Sequence, residues 1–100
     1  GADCNPYIAF AALIAAGLDG IYRGLDCVDP YFGNAYTADD VDRIPWNIVE
    51  AIELFRGSDF ARESLGADVH FHLLHSAEEE WKAFNNVVTE WELRRNFERI

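Results

Sequence analysis

The stretch GADCNPYIAFAALIAAGLDGIYRG, residues 1–24, decides how the rest of the chain is read. Asn5 followed by Pro6 is a helix start: the Asn side chain caps free backbone N–H groups, and proline at the first helical position forfeits no hydrogen bond. Ten apolar residues then run without interruption from Tyr7 to Ala16, and the first charged side chain after Pro6 is Asp19. A helix that is apolar on nearly every face is expected to be buried on nearly every face. Ala9, Ala11, Ala12, Ala15, Ala16 and Gly17 permit close approach of neighbouring backbone, and Gly20 and Gly24 suit the helix end. The question is what this helix packs against, and whether the other residues supply it.

The totals narrow the class. One hundred residues make one domain or part of one. Half of them are hydrophobic, which argues against disorder. A run of ten apolar residues falls short of the roughly 20 that span a bilayer, and no basic segment precedes it to make a signal peptide. Eighteen acidic against eight basic side chains give a net charge of −10. Such a balance disfavours nucleic acid and anionic membrane as partners, since both are bound through clustered cations. Cys4 and Cys27 form no CxxC pair and point to a reduced, cytoplasmic protein with two incidental thiols.

Beyond residue 24 the spacing stays helical except in one region. Residues 25–44, LDCVDPYFGNAYTADDVDRI, lack periodicity and read as a long connection holding at most a short turn. In PWNIVEAIELFRG, Ile48, Val49, Ile52 and Phe55 share a face, while Asn47, Glu50, Glu53 and Arg56 face water. Gly57 ends that helix, and Ser58 caps a short one, DFARESL, closed by Gly66. A longer helix starts at Ala67, with Val69, Leu73, Trp81, Phe84 and Val88 as its apolar stripe and Glu78 supporting Lys82. Thr89 and Glu92 fit a capping box, which places a break near Val88 and a last helix from Glu90 towards Glu98, anchored by Trp91. No strand pattern is present. The segment reads as all-α.

Reactive constellations are scarce. His70, His72 and His75 cluster in VHFHLLH, and only His72 and His75, one turn apart, share a face as two zinc ligands require. Without an HExxH pattern, surface or partly packed histidines are the expected reading. The acidic runs DDVD (39–42) and EEE (78–80) lack the spacing of a cation-binding loop and read as solvated faces. No phosphate-binding or nucleophile-elbow motif occurs. Trp46, Trp81 and Trp91 sit among apolar residues, where core or interface packing is expected. Nothing in these residues performs catalysis on its own, and no catalytic, cofactor-binding or metal-ligating residue is assigned.

Four stretches, in order, carry a family resemblance. NPYIAFAALIAAGLDGI (5–21) resembles the NPYLAFAALLAAGLDGI stretch of the glutamine synthetase family. GNAY (33–36) is similar to its GNxY or KNLY loop, IPWNIVEAIELFRGSDFARESLG to its LPxSLxEALxxFxxSxFxxExLG, and EWKAFNNVVTEWELRRNFERI to its EWxxFxxxVTDWExxRYFERI. The resemblance covers nearly the whole chain. It implies that residues 1–100 are the helical C-terminal portion of a catalytic domain whose parent is α+β. The parent's metal-binding and substrate-binding run, an ExRxxxxxANPY-like stretch, ends where GADCNPY begins. The implied parent uses ATP with magnesium or manganese to phosphorylate the γ-carboxylate of glutamate, and ammonia or an amine then displaces the phosphate. The implied partners are the remainder of the catalytic domain and sister subunits of a homo-oligomer.

One position carries over from the family's regulated members. Tyr36 of NAYTAD matches the tyrosine of NLYDLP that accepts an adenylyl group. Here Thr37, Ala38 and Asp39 replace the Asp-Leu-Pro that follows it, so a packed or exposed loop tyrosine is the expected reading. The closing FERI is similar to the glutamine-synthetase-like amine ligases. Two other readings remain open from the residues alone: a stand-alone helical binding or scaffold module without ligase activity, and a small metal-binding helical protein using the histidines.

Overall fold

Local capping chemistry sets most of the element boundaries. In the computed structural model, which describes residues 3–38, 40–97 and 99, Asn5 Oδ1 accepts from the Tyr7 and Ile8 amides at 3.0 and 3.4 Å and starts α1, Pro6–Arg23. Gly24 closes α1, with the Leu25 amide donating to the Gly20 carbonyl at 2.9 Å. Gly20 itself lies within the helix rather than at its end. The connection that follows is irregular, apart from a 3-10 turn at Ala35–Thr37.

Four short-linked helices come next. Asn47 caps α2, Ile48–Arg56, through the Glu50 amide at 3.0 Å. Ser58 caps α3, Asp59–Leu65, and Gly66 joins it directly to α4, Ala67–Asn85. Thr89 and Glu92 form the expected capping box at the head of α5, Glu90–Asn96. The reach of this helix to Glu98 falls outside the described residues. No strand occurs among the described residues, so the chain is all-α as its spacing predicts.

Packing is confined to one corner. Helices α2 and α3 both lie on α4, and α1 rests on α3. Only Ala38, Ile52 and His70 are buried among the described residues. Ile52 comes from the predicted face of α2, with Phe55 half-buried beside it. The inner stripe of α4 differs from the predicted one. It runs through His70, Leu73, Leu74, Ala77, Glu78 and Trp81, while Val69 and Phe84 are exposed. The stripe is rotated because His70 satisfies its polar nitrogen on a carbonyl of α2, 2.8 Å away, and so turns inward.

Glu78 follows the same rotation. It pairs with Arg56 of α2 at 2.7 Å rather than with Lys82, which turns instead to Glu79 at 2.6 Å. The Arg56 guanidinium holds its proton more tightly than usual, first through the hydrogen bond to Glu78. Lys82 likewise gains proton affinity from its bond to Glu79, and Glu79 loses it.

Helix α1 has the sequence of an interior helix, and the residues present here do not cover it. None of its residues is buried here, and Phe10, Leu13, Ile14 and Ile21 are all more than half exposed. The chain exposes 9148 Å² with a radius of gyration of 18.3 Å. A compact protein of this mass exposes about 5,800 Å² with a radius of about 13 Å. The excess surface is what the small corner leaves uncovered, and apolar patches of this extent mark interaction surfaces. Sedimentation of purified residues 1–100 is therefore expected to show concentration-dependent association. A dilute, thermally stable monomer would contradict that.

The capping box also carries a pH signature. The backbone N–H and hydroxyl of Thr89 hold the Glu92 carboxyl below the usual glutamate range. A carboxylate with a depressed folded-state pKa contributes stability that is complete above its unfolded value, about 4.3, and is lost as pH falls through the folded value. Protection of the amides in the first turn of α5, relative to their intrinsic exchange rates, is expected to stay constant down to about pH 5 and to be lost as pH drops below the ordinary glutamate value of about 4.3, more steeply than in Glu92→Gln. Equal acid sensitivity of the two proteins would remove the cap's role.

Candidate functional site

The one site the sequence marks, Tyr36, sits on a turn whose geometry follows from the residues before it. Gly33 adopts φ +148°, a conformation L side chains rarely take, and a Cβ there would meet the Tyr31 ring at 3.3 Å. Asn34 then folds the turn. Its Oδ1 accepts from the Tyr36 amide, and its carbonyl accepts from the Thr37 amide and hydroxyl, each at 3.1 Å. An Asn side chain mimicking a backbone turn in this way is the reason GNAY makes a tight bend. The bend throws Tyr36 outward, 93% exposed, with its hydroxyl open to solvent.

Across from the turn, residues 41–46 complete an open cleft of about 350 Å³ lined by Ala35, Tyr36, Val41, Ile44, Pro45 and Trp46, with Asp42 and Arg43 among its walls. Trp46 is fixed from the α2 side: its amide donates to Glu50 Oε2 at 2.9 Å, and the Arg43 guanidinium lies 5.8 Å from its ring centroid. Of the core or interface packing expected for the tryptophans, the exposure excludes the core for two: Trp46 is 74% exposed on the cleft rim, and Trp91 is 65% exposed on α5 with the Arg95 guanidinium over its ring. Trp81 alone of the three is half-buried. Asp39 of the acidic run lies outside the described residues.

The histidines are dispersed by the rotation of α4. His70 is enclosed against α2, while His75 stacks on Phe71 of its own helix with centroids 6.1 Å apart. His72 is exposed. No group of three His, Cys, Asp or Glu side chains among the described residues is placed to hold a metal ion. Cys4 and Cys27 are exposed free thiols. No described helix is long and apolar enough to cross a membrane. The cleft is therefore an aromatic surface with a charged rim: it offers contacts for docking and no paired nucleophile and base.

Residues 1–96 match the family described as glutamine synthetase, catalytic domain. The chain belongs to the glutamine synthetase family. It is similar over all of its 100 residues, at 47% identity, to the gamma-glutamylethanolamide synthetase of Streptomyces coelicolor, of which it covers 21%. It is 39% identical to a glutamine synthetase of Methanosarcina mazei, with 92% of this chain covering 22% of that protein. Against the type-1 glutamine synthetase 2 of Dictyostelium discoideum, identity is 38% across the whole chain and 20% of the relative. The chain thus spans about a fifth of the length of these members of the glutamine synthetase family.

The GNAY bend tests directly. Gly33→Ala is expected to strain the turn by about 1–3 kcal/mol and to release the Tyr36 and Thr37 amides. Faster exchange at those two amides, with α2 and α4 unchanged, is the expected readout. Unchanged exchange would show that Gly33 does not hold the bend.

Proposed function

We propose that residues 1–100 are the helical backing of an ATP-dependent glutamate–ammonia or glutamate–amine ligase and take no direct part in its reaction. The observation that carries this reading is α1. Its sequence is that of an interior helix, yet the other residues leave Phe10, Leu13, Ile14 and Ile21 in solvent. Relatives about five times as long, named as a gamma-glutamylethanolamide synthetase and a glutamine synthetase, supply the context in which such a helix has something to lie against.

In that parent, γ-carboxylate activation proceeds through a γ-glutamyl phosphate, because a carboxylate is a poor electrophile and an acyl phosphate a good one. ATP and magnesium or manganese would be bound by segments other than these, since phosphoryl transfer needs convergent carboxylates and cations. Here α1 would pack inside the catalytic body. The α2–α4 corner, α5 and the Tyr36 cleft would lie on its outside or at contacts with sister subunits. The higher identity to a gamma-glutamylethanolamide synthetase than to a glutamine synthetase favours an amine over ammonia as acceptor.

Purified residues 1–100 are expected to release no glutamate-dependent phosphate from ATP. A polypeptide extended at its N-terminus to the length of the relatives is expected to do so with ethanolamine or ammonium. Turnover by residues 1–100 alone would overturn the non-catalytic role. An extended, folded polypeptide inactive with both acceptors would instead favour a scaffold module that kept the family's sequence without its reaction.

A further inference from the structure

His70 is the most enclosed of the described residues, at 4% exposure, and the reading above gives it no role. Its Nε2 lies 2.8 Å from the Phe55 carbonyl oxygen, and its ring stacks on the Phe55 ring with centroids 4.5 Å apart. A carbonyl only accepts, so Nε2 carries the proton and donates. Phe55 is in the last turn of α2, and its carbonyl also accepts from the Ser58 amide at 3.2 Å, so His70 takes the second lone pair of that oxygen. His70 is in the opening turns of α4, and its own amide donates to Gly66 at 3.0 Å. One side-chain bond therefore ties the end of α2 to the start of α4 across fifteen positions.

What this bond spans is α3, seven residues set between Gly57 and Gly66. Gly66 holds φ +83°, a sharp reversal that brings α4 back against α2. Phe71 and His72, the neighbours of His70 in the chain, face solvent, so the inward turn of this imidazole is specific to its position. The other side-chain tie from α2 to α4, the Arg56–Glu78 ion pair at 2.7 Å, is partly solvated and correspondingly weak. Helix α1 rests on α3. The angle of this corner consequently sets where the long apolar helix is presented.

We propose that His70, held as the Nε2-protonated tautomer, is a latch that closes the α2–α3–α4 corner and thereby fixes the seat of α1. The latch is independent of which reaction the parent performs. Two variants separate the bond from the ring: His70→Phe keeps the stack on Phe55 and loses the N–H, whereas His70→Gln loses the ring and keeps a donor. Hydrogen exchange on the intact protein is expected to show amides at 56–60 and 71–74 opening about tenfold faster in the Phe variant, and within about threefold of the parent in the Gln variant. Protection in the Phe variant equal to the parent, or equal loss in both variants, would overturn the latch. Because both variants depend on folding, the tautomer is read separately by nitrogen NMR of the histidine-labelled parent. A buried Nε2–H signal supports the assignment, and an Nδ1–H tautomer at His70 overturns it.

Discussion

A helix of 18 residues with no charged side chain before Asp19 has no face it turns to water without cost. Full burial of a large apolar side chain contributes roughly 1.5–3 kcal/mol, and at least half a dozen such residues on α1 remain mostly in solvent. The unclaimed stabilisation is on the order of 10 kcal/mol, comparable with the total stability of an ordinary domain. In this structure α1 rests on α3, a contact that leaves those side chains in solvent. The elongated form, 61 × 40 × 24 Å, follows from that shortfall.

The α2–α3–α4 corner shows how little is needed to give three short helices a definite arrangement. Ile52 supplies the apolar contact, the His70–Phe55 pair supplies a directed bond with a ring stack, and Arg56–Glu78 adds an ion pair on the same side of α4. The ion pair is partly solvated and contributes little on its own. Direction comes from the bond between a ring nitrogen and the second lone pair of a carbonyl in the last turn of α2.

Features that depend on a few adjacent residues were legible in the sequence. Asn5, Ser58 and the Thr89–Glu92 pair each cap where their side-chain chemistry requires, because a cap is satisfied within four residues, whereas Asn47, read as a water-facing position, is itself the cap of α2. Features set by distant chain were not. Nothing local distinguishes His70 from His72 as the inward histidine, and helical spacing equally offers Glu78 to Lys82 or to a helix two elements away. Val69 was the natural apolar choice for the stripe, until a carbonyl fifteen positions earlier made an imidazole the better one. The Tyr36 cleft was half legible: GNAY announces the turn, whereas the opposing wall from Val41 to Trp46 depends on how an irregular connection returns.

Hydroxyl-radical footprinting of Phe10, Leu13 and Ile14 addresses the place of α1 most directly, because it reads side-chain exposure in proteins of any size. These residues are predicted to be modified readily in residues 1–100 at dilution. They are predicted to be strongly protected in a polypeptide of the relatives' full length. Equal modification in both would mean that α1 is a surface helix, and the account of this segment as the backing of a larger ligase would not stand.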